Sequence, residues 1–72
     1  MPKRPPPISN RVRELREENG DMSQASLGEA IDVTRQTIIA IEQGHYSPSL
    51  ESALRIAQVF GVGIEDVFTW EG

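Results

Sequence analysis

Seventy-two residues are read as one domain, and a chain this short buries only about 60% of the surface it exposes when unfolded. It has no cysteine and a single histidine, which excludes disulfides, thiolate metal sites and a zinc cluster, so stability must come from helix packing, a partner subunit, or both. The net charge of −4 works against broad phosphate binding, which needs lysine and arginine, and no apolar run approaches the roughly 20 residues that span a bilayer.

Residues 1–7, Met1-Pro2-Lys3-Arg4-Pro5-Pro6-Pro7, are four-sevenths proline and cannot join a helix. They are read as a flexible basic arm preceding a domain over 8–72. Lys3 and Arg4 either touch DNA or lie in a solvated tail. No apolar stretch follows them, so the segment is not read as a signal peptide, and the expected location is the cytoplasm. Helix one is predicted from Ser9 or Asn10 to about Asn19, with Val12, Leu15, Arg16 and Asn19 on one face and Gly20 ending it. Ser23 caps a second helix with Leu27 and Ile31 inward. Thr34 caps a third with Ile38 and Ile41 inward, and Gly44 closes it. Ser49 caps a fourth, whose inward stripe is read as Leu50, Ala53, Leu54, Ala57 and Phe60. Gly61 and Gly63 interrupt the chain before a short helix from Ile64 to Phe68. Five helices with short connections, no strand periodicity and no internal repeat define an all-α domain.

The acids are unevenly spread. Glu14, Glu17, Glu18 and Asp21 crowd helix one and its exit, and Glu65, Asp66 and Glu71 crowd the C-terminus, whereas Glu42 is the only acid between Val33 and Leu50. The field that matters for a charged partner is the local one at the contact face. From Ser23 to Gln43, two capped helices pack around a three-residue turn, so the second protrudes and has the dimensions to enter a DNA major groove. The residues by themselves give a helical hairpin with a partly exposed second helix, and no more.

The order and spacing of several short strings go further: Gln24 and Leu27; Val33-Thr34-Arg35-Gln36-Thr37-Ile38; Ile41-Glu42 and Gly44; Pro48-Ser49-Leu50; Ile56-Ala57; Phe60-Gly61-Val62; and Ile64-Glu65-Asp66-Val67-Phe68. From about Ile8 to Phe68 the chain resembles the Cro/C1-type (XRE-like) helix-turn-helix family, which includes the lambdoid phage repressors. It is most similar to the compact subgroup like the cytolysin-type repressors, which ends after an aromatic tail such as Phe68-Thr69-Trp70. The resemblance implies a five-helix, lambda-repressor-like DNA-binding domain. It also implies a short two-stranded ribbon joining the termini, Pro7-Ile8-Ser9 against Thr69-Trp70-Glu71, which the prolines limit to two or three residues. The chain departs from the family in three places. Asp32 replaces a glycine where positive φ is expected, Gly28 replaces an alanine in helix two, and the Gly20-Asp21-Met22 loop is one residue longer.

The function implied by the resemblance is that of a small homodimeric transcription regulator, with repression the expected mode, reading double-stranded DNA at a palindromic operator. The recognition helix would be about 34–43. Arg35 and Gln36 fall at base-reading positions, suited to guanine and adenine respectively. Ile39 and Ala40 face outward and suit thymine methyl groups. Gln24, Thr37, Gln43, His45, Tyr46 and Ser47 are the candidate phosphate contacts, with His45 standing where relatives often carry lysine. Arg16 and Glu42 are expected to form a structural salt bridge between helices one and three. Val62, Ile64, Val67 and Trp70 are the candidate dimer interface; the alternative is that they close the bottom of the monomer. Arg35 and Gln36 could equally be a solvated helix end, and Tyr46 could pack on helix four. No catalytic constellation, metal, cofactor, membrane or small-molecule substrate is expected. The competing reading is a protein-interaction module, such as an antitoxin, on the same scaffold, which the acidic balance favours and the Arg35-Gln36 face opposes.

Overall fold

The computed structural model describes residues 7–72; Lys3 and Arg4 of the expected arm lie outside the described residues. In chain order the elements are β1 (Ile8–Asn10), α1 (Val12–Glu18), α2 (Gln24–Ala30), α3 (Arg35–Glu42), α4 (Leu50–Phe60), α5 (Ile64–Val67) and β2 (Phe68–Trp70). The five expected helices are present, joined by the two-stranded ribbon.

Three of the expected caps form as read. The hydroxyls of Ser23, Thr34 and Ser49 accept the backbone N–H groups of Ser26 (3.0 Å), Thr37 (3.2 Å) and Ser52 (3.1 Å), each satisfying a first-turn donor that the helix cannot pair itself. Helix one differs. Ser9 and Asn10 belong to β1, and α1 begins only at Val12. Asn10 still serves the helix from outside it, its Oδ1 accepting the Val12 N–H at 3.1 Å. The last helix is capped by Gly63, whose N–H donates to the Asp66 carboxylate at 3.0 Å.

The ribbon is antiparallel, with Ile8 opposite Trp70, Ser9 opposite Thr69 and Asn10 opposite Phe68. That is the expected register with each strand displaced one residue inward. Pro7 lacks an N–H but contributes its carbonyl, which accepts the Glu71 N–H at 2.7 Å. Asp32 adopts the left-handed conformation (φ +63°), as expected of the residue in the family's glycine position. The longer loop after α1 uses two consecutive positive-φ residues, Gly20 (φ +70°) and Asp21 (φ +53°), which turn the chain so that the Met22 N–H reaches the Arg16 carbonyl at 3.0 Å.

The core joins Val12 and Leu15 of α1, Leu27 of α2 with the adjacent Ile31, Ile38 and Ile41 of α3, Ile56, Ala57 and Phe60 of α4, and Val67 of α5. Two expectations need correction. The buried stripe of α4 is Ala53, Ile56, Ala57 and Phe60, whereas Leu50 and Leu54 are 71% and 50% exposed. The helix is therefore rotated relative to the stripe read from the sequence, because Ile56 and not Leu54 sits on the core side. Val67 is 1% exposed; it is a core residue with no surface to offer a partner, so it leaves the candidate interface.

Where α2 meets α3 the backbones touch. The Val33 N–H donates to the Gly28 carbonyl at 2.8 Å, and a Cβ on Gly28 would lie 2.8 Å from the Val33 carbonyl oxygen and 3.3 Å from that of Thr34. Alanine improves helix propensity here by roughly 1 kcal/mol, but overpacking against backbone costs about 1–3 kcal/mol. Gly28→Ala is therefore expected to lower stability by about 1 kcal/mol net, read as a lower urea midpoint; a higher midpoint would contradict so close an approach.

Candidate nucleic-acid interface

The residues of α3 and of its C-cap, Gln43, divide sharply between two sides. Ile38 and Ile41 are buried, Ile39 and Ala40 are half-buried, and Arg35, Gln36 and Gln43 are exposed. At about 100° per residue, Arg35, Ile39 and Gln43 form one row and Gln36 and Ala40 the neighbouring one, opposite the Ile38–Ile41 side. The same face thus carries one cation, two amides and two apolar side chains. Arg35 has no ion-pair partner among the described residues. The capping Thr34 hydroxyl also lies 3.1 Å from that of Thr37, which holds the half-buried Thr37 hydroxyl at the start of the helix.

Behind this face lies a network that fixes α3 on its support. Arg16 of α1 donates from Nε to Glu42 Oε2 at 2.6 Å and from Nη2 to Oε1 at 3.1 Å, a two-pronged pairing, while Nη1 donates to the Met22 carbonyl at 2.7 Å. Both side chains are largely shielded, 12% and 6% exposed. Hydrogen bonding to Glu42 raises the Arg16 pKa further above its ordinary value, against the opposing effect of desolvation. Gln24, at the start of α2, donates from Nε2 to Glu42 Oε1 at 3.1 Å. One of its two amide N–H donors is therefore tied to the ion pair, with the second N–H and the side-chain carbonyl left over.

A groove of about 460 Å³ runs between α1 and the α2–α3 hairpin, lined among others by Gln24, Arg35, Ile39, Gln43 and Arg13. Arg13 is a groove residue that the sequence reading does not single out. It sits on the groove in a surface ion pair with Glu17 at 3.3 Å, and its three-residue spacing from Arg16 is the signal that both share a side of α1. His45, Tyr46 and Ser47 follow α3 as expected, but the last two turn away from the groove. They line a crevice with Ile8, Asn10, Ile41 and Phe68, so the half-exposed Tyr46 ring faces the ribbon and the end of α3.

The apolar surface is gathered elsewhere. Ile64 and Trp70 flank a shallow depression with Ile8 and Phe68, and Pro48 and Leu50 extend it along the start of α4. Trp70 is 69% exposed, whereas Val62 is half-buried against the core.

A family model described as helix-turn-helix matches residues 12–67. The chain belongs to the helix-turn-helix family. Among its relatives is the HTH-type transcriptional regulator YgzD of Bacillus subtilis, 52% identical over 64 residues, which span 89% of this chain and 96% of that protein. The HTH-type transcriptional regulator MJ0272 of Methanocaldococcus jannaschii is 53% identical over 51 residues, 71% of this chain and 77% of its own length. The fold is also that of the P22 c2 repressor solved in complex with a synthetic operator, with a TM-score of 0.70 at 24% identity over 76% of this chain and 82% of that one. The lambda-repressor-like architecture and the Cro/C1-type assignment read from the sequence are thereby shown, and the chain is a DNA-binding transcription regulator by family. α2 and α3 are the first and second helices of the helix-turn-helix motif. No helix among the described residues is long and apolar enough to cross a membrane.

Proposed function

We propose that this helix-turn-helix protein is a homodimeric repressor that reads a palindromic operator in double-stranded DNA through α3. The observation that carries the reading is the outward row Arg35, Gln36, Ile39, Ala40 and Gln43 on a helix whose opposite side, Ile38 and Ile41, is anchored in the core. Arg35 pairs with a guanine edge and Gln36 with an adenine edge, while Ile39 and Ala40 meet thymine methyl groups. Gln24, Thr37, Gln43 and His45 grip the phosphates beside the groove, with Tyr46 and Ser47 at the margin nearest the ribbon. The P22 c2 repressor, which shares the fold, is bound to an operator in its solved structure. With a net charge of −4, discrimination rests on these few contacts and not on a broadly basic surface.

The second copy docks on the apolar face of Trp70, Ile64, Ile8 and Leu50. Burying it supplies the area that so small a core lacks, and it sets two α3 helices one DNA turn apart, about 34–36 Å. Selection of bound duplexes from random-sequence DNA at low salt tests the function: enrichment of a two-fold symmetric site is expected, and no enrichment would leave the protein-interaction reading standing instead. The interface has its own test. Trp70→Glu or Leu50→Glu is expected to yield a monomer by sedimentation and to weaken operator binding at least 100-fold, because two linked half-sites become independent. A wild-type protein that sediments as a monomer at tens of micromolar and binds a single half-site equally well would refute the dimer.

A further inference from the structure

Resting on that DNA-reading role, we infer that Asn10 is a positioning residue that locks the rotation of the recognition helix by tying its last turn to the terminal ribbon. Asn10 lies in β1, outside the helix-turn-helix hairpin, 31 positions before the residue it holds. Its Nδ2 donates to the Ile41 carbonyl of α3 at 2.9 Å, and its Oδ1 accepts the Val12 N–H at 3.1 Å. The two partners fix which way the amide faces, since a flipped group would set donor against donor and acceptor against acceptor. The Ile41 carbonyl also accepts the Gly44 N–H at 3.0 Å. This is one of the terminal carbonyls a helix cannot pair internally, and Asn10 occupies its remaining lone pair.

Two consecutive residues of α3 are thus held from different directions. Glu42 is held by Arg16 and Gln24 from α1 and α2, and Ile41 is held by Asn10 from the ribbon. Residues one apart lie about 100° apart around the axis, and the carbonyls point along it. So α3 is gripped at two azimuths, by a side chain at Glu42 and by its end at Ile41, and the pair of restraints fixes rotation as well as tilt. With only one of them, the precise rotation is left to the packing of Ile38 and Ile41 in the core. A rotation of about 10° moves a side-chain end lying about 5–6 Å from the axis by about 1 Å, enough to spoil a hydrogen bond to a base edge. Contacts to a uniform phosphate backbone tolerate such a shift by small rotamer changes. Loss of Asn10 therefore degrades discrimination more than attachment.

The test uses the full chain and the operator selected by the wild type, with a scrambled duplex of equal length at the same salt and below each variant's unfolding temperature. Asn10→Leu is neutral, branched at the same atom and makes neither bond; Asn10→Asp keeps the acceptor for Val12 and lacks the donor for Ile41. Both are expected to bind the operator at least 10-fold more weakly relative to the scrambled duplex. For Asn10→Leu, scrambled-duplex affinity should stay within twofold and the salt dependence should be unchanged. Equal weakening on both duplexes would mark Asn10 as merely structural and overturn the inference, as would operator affinity within twofold of wild type. Should the variants not fold, exchange of the Asn10 side-chain amide protons in the wild-type protein decides: slowed exchange is expected, and exchange at the rate of a free amide overturns the bond. A wild type that selects no operator overturns the DNA-reading role and this inference together, whereas a selected operator bound equally by Asn10→Leu overturns this inference alone.

Discussion

Replacing Glu42 by alanine is expected to cost about 3–5 kcal/mol of folding stability, because it strands a shielded guanidinium. Arg16 would keep its bond to the Met22 carbonyl but lose both contacts to the carboxylate, and the Gln24 amide would lose its acceptor as well. Small domains are stable by roughly 0.05–0.15 kcal/mol per residue, which is about 4–11 kcal/mol for a chain of this size, so this one substitution consumes a large share of it. The double variant Arg16→Met with Glu42→Leu should recover much of the loss, since neither charge is then left without its partner. It should not recover operator selectivity, because apolar packing replaces two directed hydrogen bonds at the end of α3. Urea denaturation followed by circular dichroism, beside operator binding, reads both. An unchanged midpoint for Glu42→Ala would show that the pair contributes nothing to the fold.

Gln36→Ala is expected to weaken operator binding by about 1–3 kcal/mol, or roughly 5- to 150-fold, per half-site. The side chain is exposed on α3, so stability should change little, and its amide carries no charge, so the salt dependence should stay the same. The loss should be confined to one base position, visible as relaxed preference when the selection is repeated with the variant. Arg35→Ala makes the informative comparison. It removes a base contact and a cation together, so binding to scrambled DNA should fall too and the salt dependence should become shallower. If Gln36→Ala binds the operator as the wild type does, α3 is not presented to the bases as proposed.

The hairpin is legible in the sequence because its signals are local. Ser23, Thr34 and Ser49 each act on an N–H three residues away, a distance that sequence spacing describes directly. The Arg16–Glu42 pair and the left-handed Asp32 come from the family resemblance, since neither partner nor dihedral is encoded in spacing. The face of α4 is misread for a definite reason: Leu50-Ala53-Leu54-Ala57-Phe60 and Ala53-Ile56-Ala57-Phe60 are overlapping helical stripes that share two alanines and Phe60. Only the position of the neighbouring helices decides between them. Val67 lies in a helix of four residues, too short for periodicity to separate an inward side from an outward one. Asn10 reads as a helix cap because it lies next to a helix and carries the right chemistry. Its second bond joins segments far apart in the chain, which no local pattern reveals.

The antiparallel ribbon also bears on the order in which the molecule assembles. The α2–α3 hairpin closes a short loop, whereas Ile8 and Trp70 must bring opposite ends of the chain together, at a larger entropic penalty. Such distant pairings form late on the way to the native state and are the first to open in its fluctuations. When the two strands part, Asn10 departs with β1, and the last turn of α3 loses a restraint while the core beneath it is still packed. Fraying at the ends of the chain would then be felt at the outward face of α3.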